Sequence, residues 1–305
     1  MYTTYFGFRE KPFNVTPDPR FFFGSPIYTE VYANLTYAVR ERKGFAALTG
    51  QVGTGKTTLL RKLMDDLATT ARFVYFYNTN LNFEELLTFI CEELNLRVDR
   101  NEGRLGKIRS LNEFLLEQLR RGGTGVLLID ESQNLGSDVL ENLRLLSNLE
   151  TGREKLLQIV LAGQPEFEEK LDQSELRQLK QRISIHCRLN CLKAREVGPF
   201  IAHRLTAVGP KRDDLFVPEA IRKVAFYSKG VPRLINIICD NALLIAYATS
   251  QETVSPGIID EVAHDLQLTS GATGLGVASA AMAQRHRIRG RLHSTANAGT
   301  REPPV

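Results

Sequence analysis

The sequence has 305 residues, 43% apolar and 24% charged, which is long enough for two packed domains and too ordinary in composition for a disordered or fibrous chain. Its formal charge is +4, and the whole excess sits from Gly271 onward, where Arg285, Arg287, Arg289, Arg291 and Arg301 stand against one acid, Glu302. Before Gly271 the basic and acidic side chains are equal in number, so the body lacks the bulk electrostatic footprint of a dedicated nucleic-acid protein.

The chain opens on MYTTYFGFREKPF, which has no apolar h-region, so no signal peptide is expected. Turn signals at KPF, TPDPR and GSP lead into a helical stretch, TEVYANLTYAVRERKG, and residues 1–44 read as an N-terminal lead segment of the module that follows. From residue 45 to 192 short apolar runs alternate with amphipathic helical segments. The runs are FAALTG, RFVYFYN, GVLLIDE, LLQIVLAG and SIHCRLNCL, and the helices include FEELLTFICEELNL, SLNEFLLEQLRRG and VLENLRLLSNLE. Strands interleaved with helices predict an α/β domain whose parallel five-stranded sheet carries crossovers on both faces. The near-continuous apolar runs GVLLI and LLQIVL suit strands covered on both sides.

After residue 192 only helical patterns remain: EVGPFIAHRLTAV, PEAIRKVAFYSKG, PRLINIICDNALLIAYA and PGIIDEVAHDLQL, several opened by an early Pro. Residues 193–269 therefore read as a small all-helical lid domain. Residues 270–305, rich in small residues and Arg, bury too little apolar surface to order themselves and read as a disordered tail. The uncharged run from Leu266 to Gln284 is dominated by Gly, Ala, Ser and Thr and is too weakly apolar for a membrane span. The four cysteines, Cys91, Cys187, Cys191 and Cys239, form no CxxC pair and have no His at ligand spacing, which argues against zinc and for buried thiols in a reducing compartment. Alternation in SIHCRLNCL would place Cys187 and Cys191 on one strand face. A cytoplasmic chain is the expectation, peripheral to the inner membrane if membrane-associated at all.

Chemistry concentrates in two motifs. GQVGTGKT, residues 50–57, matches the phosphate-binding loop pattern at every fixed position, and it follows a strand and opens the helix KTTLLRKLMDDL. Gly50, Gln51, Val52, Gly53, Thr54 and Gly55 would curl the backbone so that its amides, with those of Lys56, Thr57 and Thr58, face one anion at a helix N-terminus. Lys56 would reach the β- and γ-phosphates of ATP, and the Thr57 hydroxyl would ligate Mg²⁺. The second motif is the DE pair that ends GVLLIDE. A buried strand would deliver Asp130 to the carboxyl edge of the sheet to hold Mg²⁺, and Glu131 would orient or deprotonate the attacking water. By itself DE could equally cap the next helix, but paired with a phosphate loop upstream the metal reading prevails.

The opening YFGFREKPFNVTPDPRFFFGS, GFAALTGQVGTGKTTLLRKL, DESQNL, LENLRLLSNLET, LLQIVLAGQPEF, LRQLKQRI and GVPRLINIICDNAL together resemble the general-secretion-pathway A (ExeA-like) branch of the AAA+ ATPases, from about Tyr5 to Leu268. The resemblance extends to the TniB and MuB transposition ATPases. It implies ATP hydrolysis by a P-loop AAA+ fold with a helical lid, Gln164 in the sensor-1 place facing the lytic water or γ-phosphate, and Arg233 in the sensor-2 place. It also implies a homo-oligomer, ring or filament, in which an arginine finger acts in trans: Arg182, with Arg177 as the competing residue. Long members of that branch continue into a membrane helix and a periplasmic peptidoglycan-binding region where this sequence has its Arg-rich tail, so the cell-wall role is not expected to carry over. The partner implied is an unidentified protein of a secretion, exopolysaccharide or pilus system; an ATP-gated DNA-binding scaffold is the alternative, disfavoured by the neutral body.

Overall fold

A computed structural model describes residues 2–77, 81–98, 103–209 and 214–268. In chain order the elements are α1 (Tyr2–Phe6), α2 (Pro26–Arg40), β1 (Phe45–Gly50), α3 (Lys56–Leu67), β2 (Ala71–Phe76), α4 (Phe83–Glu93), α5 (Gly103–Arg120), β3 (Thr124–Ile129) and α6 (Ser137–Leu146). They continue with β4 (Leu157–Gly163), α7 (Pro165–Leu171), α8 (Arg177–Arg182), β5 (Ile183–Leu189), α9 (Ala194–Val208), α10 (Pro218–Ser228), α11 (Pro232–Ala248) and α12 (Pro256–Asp265). The chain divides into two compact units, one spanning Pro17–Asn190, the other joining Met1–Thr16 to the chain from Cys191 onward.

The α/β unit is built on a parallel sheet in the order β2-β3-β4-β1-β5. Every residue of β1, β3 and β4 is buried, whereas β2 and β5 expose part of their length, as edge strands do. Strand alternation splits the core. Phe45, Ala47, Leu127, Ile129, Ile159 and Leu161 pack with Leu86, Leu87 and Ile90 of α4, Leu111 and Leu115 of α5, and Leu140 and Leu143 of α6. The intervening Ala46, Leu48, Val126, Leu128, Val160 and Ala162 are equally buried and point to the opposite face, on which α2 and α3 lie. Because all five strands run the same way, the carboxyl ends of β1, β3 and β4 share one edge. The helices start where local chemistry predicts: α4 opens with a capping box between Asn82 and Glu85, and α2 and α7 carry Pro in the first turn.

The helical unit packs α10 against α9, α11 and α12, with α1 on α11. Its core is Val197, Ile201, Val224, Ile235, Ile238, Leu243, Ile259 and Val262. This unit falls where the lid was expected in the chain, but it is not made of residues 193–269 alone. Tyr2, Phe6, Phe8 and Phe13 are buried, Phe13 sets its ring edge-on to Phe216 at 5.9 Å, and the Tyr2 hydroxyl donates to Asp240. Arg204, 7% exposed, donates from Nε to the Pro12 carbonyl at 2.7 Å and from Nη2 to the Asn14 carbonyl at 3.0 Å.

Two expectations are corrected here. Residues 1–44 are not one lead segment of the ATPase module: Met1–Thr16 completes the helical unit because its aromatic side chains find their core there, and α2 belongs to the α/β unit, which starts at Pro17 and ends at Asn190 instead of spanning 45–192. Cys187 and Cys191 do not share a strand face, because β5 ends at Leu189. Both remain thiols, with burial pushing Cys187 up to about 11 and Cys191 upward as well. The Arg-rich segment 270–305 lies outside the described residues.

Candidate functional site

At the end of β1 the chain turns through residues 51–55 into α3. Gly55 is the N-cap of α3 with φ 97°, a left-handed conformation that a Cβ would strain. The turn leaves the first amides of α3, those of Lys56, Thr57 and Thr58, without acceptors in the helix and at its positive end. Thr54 is fully buried; its hydroxyl donates to the Gln51 carbonyl at 2.8 Å, and its own carbonyl accepts from the Tyr28 hydroxyl of α2. The loop is thereby braced from inside the fold, with Gln51 and Val52 at the surface. Lys56, 6% exposed, folds its ammonium onto the Gly50 carbonyl at 2.7 Å and the Gln51 carbonyl at 3.2 Å. Burial pulls its pKa down, against the charges of Glu131, Asp130 and Glu166, which hold it up. A buried cation ringed by carbonyls and acids is a ready counter-charge for a phosphate anion.

The DE pair stands across from this loop. Asp130, 3% exposed, accepts the Thr57 hydroxyl at 2.7 Å, the Tyr75 hydroxyl at 2.9 Å, and the Glu131 amide at 3.0 Å. Burial raises the Tyr75 pKa, and the Asp130 charge adds to it, so the phenol stays a donor. Glu131 sits at φ 54°, ψ 38°, a left-handed backbone that costs a non-glycine residue about 1 kcal/mol or more. This kink, followed by a single 3-10 turn over Ser132–Asn134, swings the Glu131 carboxylate toward the tip of β4. There its Oε2 accepts from Gln133 Nε2 at 2.6 Å and Gln164 Nε2 at 3.1 Å. Burial pushes Glu131 upward, but those two hydrogen bonds and the Lys56 charge outweigh it and hold the carboxyl below its usual range.

The loop, Asp130, Glu131 and Gln164 are thus brought together at one edge of the sheet. Gln164 reaches Glu131 through its Nε2. Arg182 lies apart, at the end of α8, where its Nη1 donates to the Arg144 carbonyl at 3.1 Å, Ser147 Oγ at 3.0 Å and Asn148 Oδ1 at 2.7 Å. It fastens α8 to the negative end of α6 within its own chain. Arg177 is exposed, and its side chain makes no hydrogen bond or ion pair among the described residues. Arg233 is exposed on the first turn of α11, in the helical unit. Three contacts escaped the sequence reading: Tyr28 on the loop, Tyr75 on Asp130, and Gln133 between Glu131 and β4. Only Gln133 had a local signal, its place just beyond the acid pair.

The Thr57 hydroxyl and the Asp130 carboxylate form a pair of hard oxygens that fits Mg²⁺, which dehydrates reluctantly and takes one or two protein ligands beside substrate phosphates. Among the described residues no group of three or more His, Cys, Asp and Glu could hold a metal ion by itself.

A parallel sheet with a phosphate loop after β1, an acid pair after β3 and a following helical unit is the arrangement of a P-loop NTPase fold. Residues 39–171 match the family model described as AAA domain. The fold is similar to the ORC2 protein of Aeropyrum pernix, at TM-score 0.67 and 15% identity over 87% of this chain and 73% of that one, and to RuvB of Thermotoga maritima, at TM-score 0.56 and 18% identity over 80% and 70%. In sequence the chain is a relative of general secretion pathway protein A of Aeromonas hydrophila, 41% identical over 266 residues. That match covers 87% of this chain and 48% of the relative, so the chain spans about half of the relative's length. Among the described residues no helix is long and apolar enough to cross a membrane.

Proposed function

We propose that this chain binds Mg-ATP at the carboxyl edge of its sheet and hydrolyses it, coupling the nucleotide state to a secretion or envelope-polymer assembly. One observation carries the reading: Thr57 Oγ1 and Asp130 Oδ2 lie 2.7 Å apart beside the buried ammonium of Lys56, with Glu131 next in the chain. The amides of residues 56–58 and the Lys56 ammonium take the β- and γ-phosphates. Bound Mg²⁺ supplies charge neutralisation between those phosphates. Thr57 and Asp130 hold the metal, Glu131 accepts a proton from the attacking water, and Gln164 orients Glu131. Arg233 responds to nucleotide from the helical unit. The protein acts as a homo-oligomer, and the finger acting in trans is assigned to Arg177 because Arg182 is already engaged at the end of α6. The client follows from the relative's place in a general secretion pathway, and a peripheral position at the inner membrane follows from the same kinship.

Phosphate release from Mg-ATP by the purified chain tests this. Lys56→Ala is expected to abolish nucleotide binding, and Glu131→Gln to keep binding while lowering turnover by about 10³-fold. Turnover untouched by both substitutions would refute the assignment.

A further inference from the structure

Glu131 owes its orientation to a residue outside the expected machinery. Gln133 is half-buried, and both ends of its carboxamide are committed. Its Oε1 accepts the backbone amide of Gln164 at 3.1 Å, and its Nε2 donates to Glu131 Oε2 at 2.6 Å. An amide proton on one side and a carboxylate on the other permit only one orientation of the group. Its backbone is also held, since Lys170 donates to the carbonyls of Gln133 and Leu135. The tip of β4 leaves space for it: a Cβ on Gly163 would come within 2.8 Å of Phe167 Cβ and 3.1 Å of Gln133 Oε1. Gln133 and Gln164 donate to the same oxygen of Glu131, and Oε1 accepts no hydrogen bond among the described residues.

We propose that Gln133 is the positioning residue of the hydrolytic step: it ties the Glu131 carboxylate to the end of β4 through Oε2 and so presents Oε1 to the attacking water. This rests on the reading of Glu131 as the group that activates water. In the step, Oε1 takes a proton from water as the water oxygen bonds to the γ-phosphorus. The bond from that phosphorus to the β-phosphate oxygen breaks, and its electron pair leaves with ADP. In this role Gln133 acts only through the aim of Glu131.

The test uses steady-state ATP turnover of the full chain. Gln133→Leu is expected to lower kcat by about 10- to 100-fold while KM for ATP and the thermal midpoint stay near wild type. Gln133→Glu, which keeps the size but sets an acceptor against an acceptor, should give a similar loss. In a Glu131→Gln background Gln133→Leu should add almost no further loss, because the group it aims is gone. A kcat within twofold of wild type, a fully active Gln133→Glu, or an equal loss in both backgrounds would overturn the proposal. A wild-type chain without turnover would overturn the underlying ATPase reading and this proposal with it, whereas turnover indifferent to Gln133 would overturn the proposal alone.

Discussion

The two units of this protein are assembled on opposite principles. The α/β unit is one continuous stretch, Pro17–Asn190, and its polar side chains meet at strand tips: Thr57 and Tyr75 on Asp130, Gln133 and Gln164 on Glu131. The helical unit is drawn from two separated segments, and its buried charge Arg204 is spent on the backbone carbonyls of Pro12 and Asn14. A parallel sheet gathers distant residues at one edge without outside help, because every strand delivers its end to the same place. A short bundle has no such device and recruits a remote segment to close its core.

The largest effect separates groups that act on substrate from groups that hold the fold. Arg177→Ala is expected to lower ATP turnover of the assembled protein by about 10³-fold, the loss typical of a removed arginine finger. Arg182→Ala should leave turnover nearly intact and lower the thermal midpoint, since its three acceptors belong to its own chain. Reversal of these two results would move the finger back to Arg182. Next comes the helical unit. Arg204→Leu leaves the buried carbonyl of Pro12 without its donor and frees that of the exposed Asn14, and is expected to cost about 2 kcal/mol, measured by urea unfolding, with earlier proteolysis before Pro17. Unchanged stability would mean that the N-terminal segment is held by its aromatic residues alone. The smallest effect concerns the phosphate loop: Tyr28→Phe keeps the ring and removes the hydroxyl from the Thr54 carbonyl, for an expected loss of about 1 kcal/mol, or a KM for ATP raised about fivefold. A KM equal to wild type would show that the loop holds its shape without α2.

The same contrast explains what was legible in the sequence. The phosphate loop and the acid pair are local patterns whose meaning is set by the strand before and the turn after, and the five apolar runs became the five strands with slightly shifted ends. Gln164 was placed correctly at the end of β4, but its contact with Glu131 depends on the left-handed backbone of Glu131, and nothing in the letters DES announces a positive φ at a non-glycine residue. Tyr28 and Tyr75 lie in amphipathic and alternating segments where an aromatic residue reads as core, and only the third dimension shows their hydroxyls reaching the Thr54 carbonyl and the Asp130 carboxylate. The sorting of Met1–Thr16 is invisible for the same reason: the partner of Pro12 and Asn14 is Arg204, on the far side of the whole α/β unit in the chain.

The divided helical unit bears on how the protein is made. As the chain leaves the ribosome, Pro17–Asn190 can settle into its sheet as soon as β5 is complete. Tyr2, Phe6, Phe8 and Phe13, synthesised before it, have nowhere to bury themselves until α9 to α12 emerge. For most of translation the growing chain therefore carries these aromatic rings uncovered. That stretch is where a holding chaperone would find its grip.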